Sequence, residues 1–256
     1  MKDDFYIGWQ PKAQPGIGRI IRRAVAILLL AAMLVPAVLA VSQRLIGAGV
    51  FEWGTLKTFT GILQAKPYPC LLVPRPGQSG PLPAYSAYYL VAPWKFGLRP
   101  DQVAAFDGRP ITLKGTLIFR ENQTMIEALP DSIHAGKSAT NRMAELPAAI
   151  SLGRQTLTGE IVDSKCFLGV MNPGQLAPHR ACAIRCISGG IPPVLLVRPA
   201  QGTPLYFLLV SAEGKPVNSQ VLDLVAEPVQ VTGEVERQGE LLILHADPAT
   251  YRRVPL

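Results

Sequence analysis

The pattern of apolar positions changes character once along the chain. From Ala24 to Gln43 no residue is charged, and the core of the run reads AVAILLLAAMLVPAVLAV. About 20 such residues at 1.5 Å each span a bilayer core, which predicts a transmembrane helix over 24–43. Pro36 is tolerable inside such a helix. Beyond it, short apolar runs rich in Val, Leu and Ile alternate with Gly and Pro, and long helical periodicity is absent. That pattern predicts short strands of a sandwich or small barrel, so the chain is mainly β after one N-terminal helix.

Internal repeats sharpen this expectation. Thr58-Phe-Thr-Gly61 returns as Thr156-Leu-Thr-Gly159, Tyr88-Tyr-Leu as Tyr206-Phe-Leu, and Pro110-Ile-Thr-Leu-Lys-Gly115 as Pro228-Val-Gln-Val-Thr-Gly233. Tyr88 to Gly115 and Tyr206 to Gly233 are both 27 residues, but Gly61 to Tyr88 is 27 and Gly159 to Tyr206 is 47. The second copy therefore carries 20 additional residues in that interval. Strands are expected near 57–65, 87–92, 110–119 and 123–129, and again near 156–163, 193–198, 205–211, 228–236 and 240–246. Glu121-Asn122 and Gln238-Gly239 suit hairpin tips. Glycines within the strands suit the corners of a closed barrel. The fold expected is two tandem five-stranded barrels of the oligonucleotide/oligosaccharide-binding (OB) type, at 51–130 and 151–256, with a linker at 131–150. A β-sandwich is the alternative.

Charge orients the helix. Lys2, Lys12, Arg19, Arg22 and Arg23 precede it, whereas Arg44 and then Lys57 follow. The positive-inside rule puts a tail, 1–23, in the cytoplasm and the barrels in the periplasm of a bacterium, with a single pass through the inner membrane. Val38-Leu39-Ala40 would serve as a signal-peptide cleavage site, but the long basic region and long apolar run favour an uncleaved anchor. Of the formal net charge of +7, the tail supplies +3, from five bases against Asp3 and Asp4. The remainder is dispersed, without a basic stripe interleaved with aromatics, so nucleic acid is not an expected partner.

The 20 additional residues hold the chemistry. Three of the four cysteines and one of three histidines lie between Cys166 and Cys186. Pro178 opens a predicted helix and Gly189-Gly190 ends it. On that helix His179, Cys182 and Cys186 share one face. Cys166 can meet them from the end of the preceding strand, with Asp163 as a further candidate ligand or hydrogen-bond partner. Three sulfurs and an imidazole are a tetrahedral zinc set, and thiolates also hold Cu(I). A disulfide from Cys166 to Cys182 or Cys186 suits an oxidising compartment. A redox pair of Cys182 and Cys186 departs from the usual two-residue spacing. The Cys-x-His pairs of a Rieske centre are absent. The Cys/His segment is set at 164–190. Cys70 reads as a small buried hydrophobe, His134 as a solvated linker residue, and Trp53, Tyr88, Tyr89 and Trp94 as core or barrel-mouth packing residues.

Two resemblances attach to these residues. The string Gly159-Glu-Ile-Val-Asp163-Ser-Lys-Cys166 with His179-Arg-Ala-Cys182-Ala-Ile-Arg-Cys186-Ile-Ser-Gly-Gly-Ile-Pro resembles a motif of poorly characterised exported bacterial proteins. It implies a shared exported module without an activity. A short tail, one anchor, a barrel and a late His245 followed by Tyr251 resemble the periplasmic haem chaperone of cytochrome c maturation. That resemblance implies His245 and Tyr251 as candidate haem or ligand residues. It is broken by the longer His–Tyr gap, the second barrel and the Cys/His segment. No nucleophile elbow, phosphate loop or His-Glu-x-x-His pattern occurs, so catalytic residues are not assigned and an enzyme is not the leading expectation. The expected role is an accessory, assembly or scaffold protein of a membrane redox complex. Metal or haem delivery is the alternative, and zinc or copper is favoured over haem.

Overall fold

The computed structural model describes residues 15–43, 49–75, 85–136 and 148–254. The chain divides into two units, 1–47 and 48–256. In the first, α1 (Pro15–Gln43) is a single helix with Pro36 inside it. It begins nine residues ahead of the uncharged run. Pro15 suits a first helical position, and Ile17, Ile20 and Ile21 carry the apolar character back between the arginines. Residues 15–23 of the expected tail are thus helical, and 1–14 lie outside the described residues. The helix is long and apolar enough to cross a membrane.

The second unit holds two closed five-stranded barrels. The first comprises β1 (Val50–Phe51), β2 (Lys57–Gln64), β3 (Cys70–Pro74), β4 (Tyr85–Val91), β5 (Pro110–Arg120), β6 (Gln123–Ala128) and β7 (His134–Ala135), with the short helix α2 (Pro100–Val103) between β4 and β5. β2, β3, β4, β6 and β5 form the ring, with β5 pairing back to β2. All ring pairs are antiparallel except β4 with β6. The second comprises β8 (Ala149–Asp163), β9 (Pro193–Val197), β10 (Leu205–Val210), β11 (Pro228–Gln238), β12 (Leu241–His245) and β13 (Arg252–Arg253). Its ring repeats the same order, with β10 and β12 the parallel pair.

The repeat extends further than the sequence motifs show. β7 pairs with β5 as Ile111 opposite Ala135, and β13 pairs with β11 as Val229 opposite Arg253, each partner 118 residues on. His134 is therefore an exposed strand residue and not part of a linker. The described part of 131–150 closes the first barrel at one end and starts β8 at the other. Residues 137–147 lie outside the described residues. The hairpin tips are also equivalent. Glu121 and Gly239 both take positive φ, 53° and 62°. The second tip is Gly239-Glu240, one residue later than expected, because glycine enters the left-handed region at little cost.

β3 was absent from the expected strands. Cys70-Leu-Leu-Val lacks the alternation of a half-buried strand because both of its faces are covered. Leu71 points into the first barrel with Leu63, Leu90, Ile111 and Leu113. Cys70 and Leu72 point outward into a cluster shared by both barrels. Tyr89, Val91 and Met125 join them, and the second barrel answers with Leu208, Val210, Leu241 and Ile243. Each such Leu or Val is worth about 1.5–3 kcal/mol when fully buried, so this junction stabilises the unit much as a core does. The second barrel's own core gathers Ile161, Leu195, Phe207, Leu209 and Val229.

Candidate metal centre

β8 delivers the site. Its last residues, Ile161 to Asp163, are buried, and the chain then leaves the sheet. Asp163 turns it by accepting the Cys166 backbone N–H at 2.7 Å. A wide helical turn follows at Cys166–Val170. After the Asn172-Pro173-Gly174 segment a 3₁₀ turn, Ala177–His179, leads into α3 (Arg180–Ser188). The chain then passes Gly190, at φ 100°, into β9.

This path brings the sequence-predicted residues into two groups that share Cys166. Cys166 Sγ lies 3.9 Å from Cys182 Sγ and 3.8 Å from Cys186 Sγ. All four cysteines of the chain are free thiols. Donor atoms of Cys166, His179 and Cys182 lie within 4.8 Å of one another, as do those of Asp163, Cys166 and Cys186. Cys166 belongs to both groups. A tetrahedral ion with metal–sulfur bonds of about 2.3 Å holds its sulfurs about 3.8 Å apart. The measured separations match that edge.

Asp163 has a definite task. Its Oδ2 is 2.9 Å from His179 Nε2, with both residues buried. That contact commits Nε2 to the carboxylate and leaves Nδ1 for a ligand, the carboxylate–imidazole arrangement that orients metal-binding histidines. The thiols are unequal. Donating to Cys186 holds the Cys166 thiol well above the usual range, and burial and Asp163 push it the same way. Accepting from Cys166, with the charge of Lys95 nearby, holds Cys186 below its usual range against the penalty of burial.

Two functional residues carry no signal in the Cys/His motif. Lys95, in the loop after β4 of the first barrel, places Nζ 2.7 Å from Cys182 Sγ and 4.0 Å from Cys186 Sγ. Its ammonium is held above the usual lysine range chiefly by the contact with Cys182. The first barrel, which holds none of the cluster's cysteines or its histidine, thus supplies a cation to it. Lys165 is almost wholly buried. Its Nζ donates to Ala92 O at 2.9 Å and Trp94 O at 2.6 Å, and lies 2.5 Å from Glu127 Oε2. Those three partners match the three donors of an ammonium. They fix the loop that carries Lys95.

The backbones also meet directly. A Cβ added to Gly189 would lie 2.0 Å from Lys95 O, and Gly97 N–H donates to Gly189 O at 3.0 Å. The Gly-Gly pair that reads as a helix stop is also what lets this loop approach α3. Trp94 holds φ at 63° there and is exposed; Trp53 is exposed too but packs edge-on against Phe51, and Tyr89 is buried. A tryptophan in the left-handed region is strained, and it persists because Lys165 grips its carbonyl.

The two candidate haem or ligand residues lie in other settings. His245 Nε2 is 3.2 Å from Glu236 Oε2 on the neighbouring strand. Tyr251 is buried in the second barrel's core. Neither belongs to the groups around Cys166. No family model, curated protein or solved structure matches this chain.

Proposed function

We propose that this chain is a bacterial inner-membrane protein with a single pass, its N-terminus cytoplasmic and its two barrels, read as OB-type, in the periplasm. Segment 164–190, inserted into the second barrel, holds a thiophilic ion, zinc or Cu(I), through Cys166, His179, Cys182 and Cys186. Asp163 orients His179. The role is that of an accessory, assembly or scaffold protein for a membrane redox complex, with the ion bracing the face that a partner meets.

The observation that carries the metal reading is the pair of sulfur separations, 3.8 and 3.9 Å, beside an imidazole oriented by a buried carboxylate. Metal binding needs deprotonated sulfurs; Cys186 is already held below its usual range, whereas Cys166 would have to give up its proton to the ion. Elemental analysis of the reduced chain tests it. One zinc or copper per chain, absent from Cys166→Ser/Cys186→Ser, supports the reading. A metal-free wild type sinks it. The scaffold role is tested separately, by copurification of a membrane complex with the full-length chain.

A second reading, metal delivery, draws on one feature. Cys182 is only half-buried while Cys166 and Cys186 are buried. An ion held there has one ligand near solvent, where an acceptor protein could reach it. Transfer to an apo-acceptor faster than spontaneous release would favour delivery over scaffolding.

A further inference from the structure

The contact between Lys95 and Cys182 is too close for what it is taken to be. Nζ and Sγ lie 2.7 Å apart. An N–H···O bond spans about 2.7–3.2 Å, and sulfur is about 0.3 Å larger than oxygen, so an N–H···S bond belongs near 3.0–3.5 Å. A single bridging oxygen gives a different spacing. Bent N–O and O–S single bonds of about 1.4 and 1.7 Å put nitrogen and sulfur about 2.6–2.7 Å apart. Among the cysteines only Cys182 stands at this distance, since Lys95 Nζ is 4.0 Å from Cys186 Sγ.

We infer that Lys95 and Cys182 are a site of oxidative cross-linking, joined through one oxygen as a covalent Nζ–O–Sγ bridge. Dioxygen is the oxidant. One N–H bond and the S–H bond break, and N–O and O–S bonds form. One oxygen atom of dioxygen enters the bridge, and the other leaves as water with the two hydrogens released. Nitrogen and sulfur each give up two electrons, which accounts for the four that dioxygen accepts. A dithiol reductant cleaves the bridge: two dithiols supply four electrons and four protons, the amine and the thiol re-form, and the bridging oxygen leaves as water.

The surroundings suit this chemistry. Lys95 and Cys182 are each half-buried, so a small oxidant can reach them and bulky thiols meet more obstruction. Lys165 and the close approach of Gly189 to Lys95 O hold the amine loop against α3, so the pair stays aligned without help from the bridge. The bridge would tie the first barrel to the second and remove Cys182 from the ligand set. Its formation does not depend on the metal reading, but an ion bound to Cys182 would block it.

Intact mass of the full-length chain in detergent decides the matter. The protein is reduced, stripped of metal, and then held in air-saturated buffer. The bridge adds one oxygen and removes two hydrogens, a gain of about 14 Da that dithiothreitol abolishes. Digestion should yield a peptide linking Lys95 to Cys182, and Lys95→Arg, which keeps the charge, should show no such gain. An unchanged mass overturns the inference. So does a loss of about 2 Da from a disulfide, or a gain that survives in Lys95→Arg. Metal content is measured on a separate anaerobic sample, so the bridge and the metal reading can fail independently.

Discussion

Lys165 Nζ and Glu127 Oε2 stand 2.5 Å apart across the junction of the two barrels, one on each side and both largely buried. A buried pair like this adds little over a well-packed apolar substitute, but breaking it strands a charge. Lys165→Met should therefore cost about 3–5 kcal/mol in denaturant unfolding, and Lys165→Met/Glu127→Met should cost less than the single change. A single variant as stable as wild type would contradict the account of the junction.

Asp163→Asn keeps an acceptor for the Cys166 N–H but turns an amide donor toward His179. The ring must then accept at Nε2 and carry its proton on Nδ1, where it cannot ligate. Zinc affinity of the reduced chain should fall about 10–100-fold in competition with a chromophoric chelator. Unchanged affinity would mean that His179 is not a ligand.

The start of α3 is held by a second set of charges. Arg180 Nη1 bonds Glu227 Oε1, and Arg253 Nε lies 2.5 Å from Glu227 Oε2. Those two guanidinium contacts hold the Glu227 carboxyl below its ordinary range. A carboxylate depressed in the folded state stabilises fully above its unfolded value, and the gain is lost as pH falls through the folded value. Wild type should thus melt higher than Glu227→Gln at neutral pH, and the gap should close as pH drops below the ordinary carboxylate range. A gap independent of pH would show that the charge is not responsible.

The membrane reading has its own check. A periplasm-dependent phosphatase fused after Leu256 should be active in a bacterial host, and the chain should stay with membranes after high-salt washing. Activity in the soluble periplasmic fraction would indicate cleavage near Ala40 instead.

Much of this architecture was legible in the sequence, for identifiable reasons. The repeated Thr-x-Thr-Gly and Pro-x-x-x-x-Gly strings mark ring strands because each barrel needs glycine where a neighbouring strand's carbonyl approaches, Leu72 O at Gly61 and Leu196 O at Gly159, Glu127 O at Gly115 and His245 O at Gly233. Cys182 and Cys186 sit one turn apart on α3 as their spacing implies, but His179 belongs to the 3₁₀ turn before it, so the helix expected from Pro178 starts two residues later, at Arg180. β3 escaped because a strand covered on both faces loses its alternation, so Cys70-Leu-Leu-Val reads as a featureless apolar run. The shared cluster between the barrels was hidden for the same reason. Lys95 and Lys165 escaped because their partners lie 87 and 38 or more residues away in the chain, and no local spacing encodes such contacts. Lys165 sits inside the motif, yet nothing nearby in sequence shows that it is buried.

X-ray absorption on the metal bound to the reduced, full-length chain tests the central claim most directly. The account predicts about three sulfurs near 2.3 Å and one nitrogen near 2.0–2.1 Å for zinc, with the sulfur shell depleted in Cys166→Ser. A shell of oxygen and nitrogen alone, or a spectrum unchanged by loss of Cys166, would contradict it.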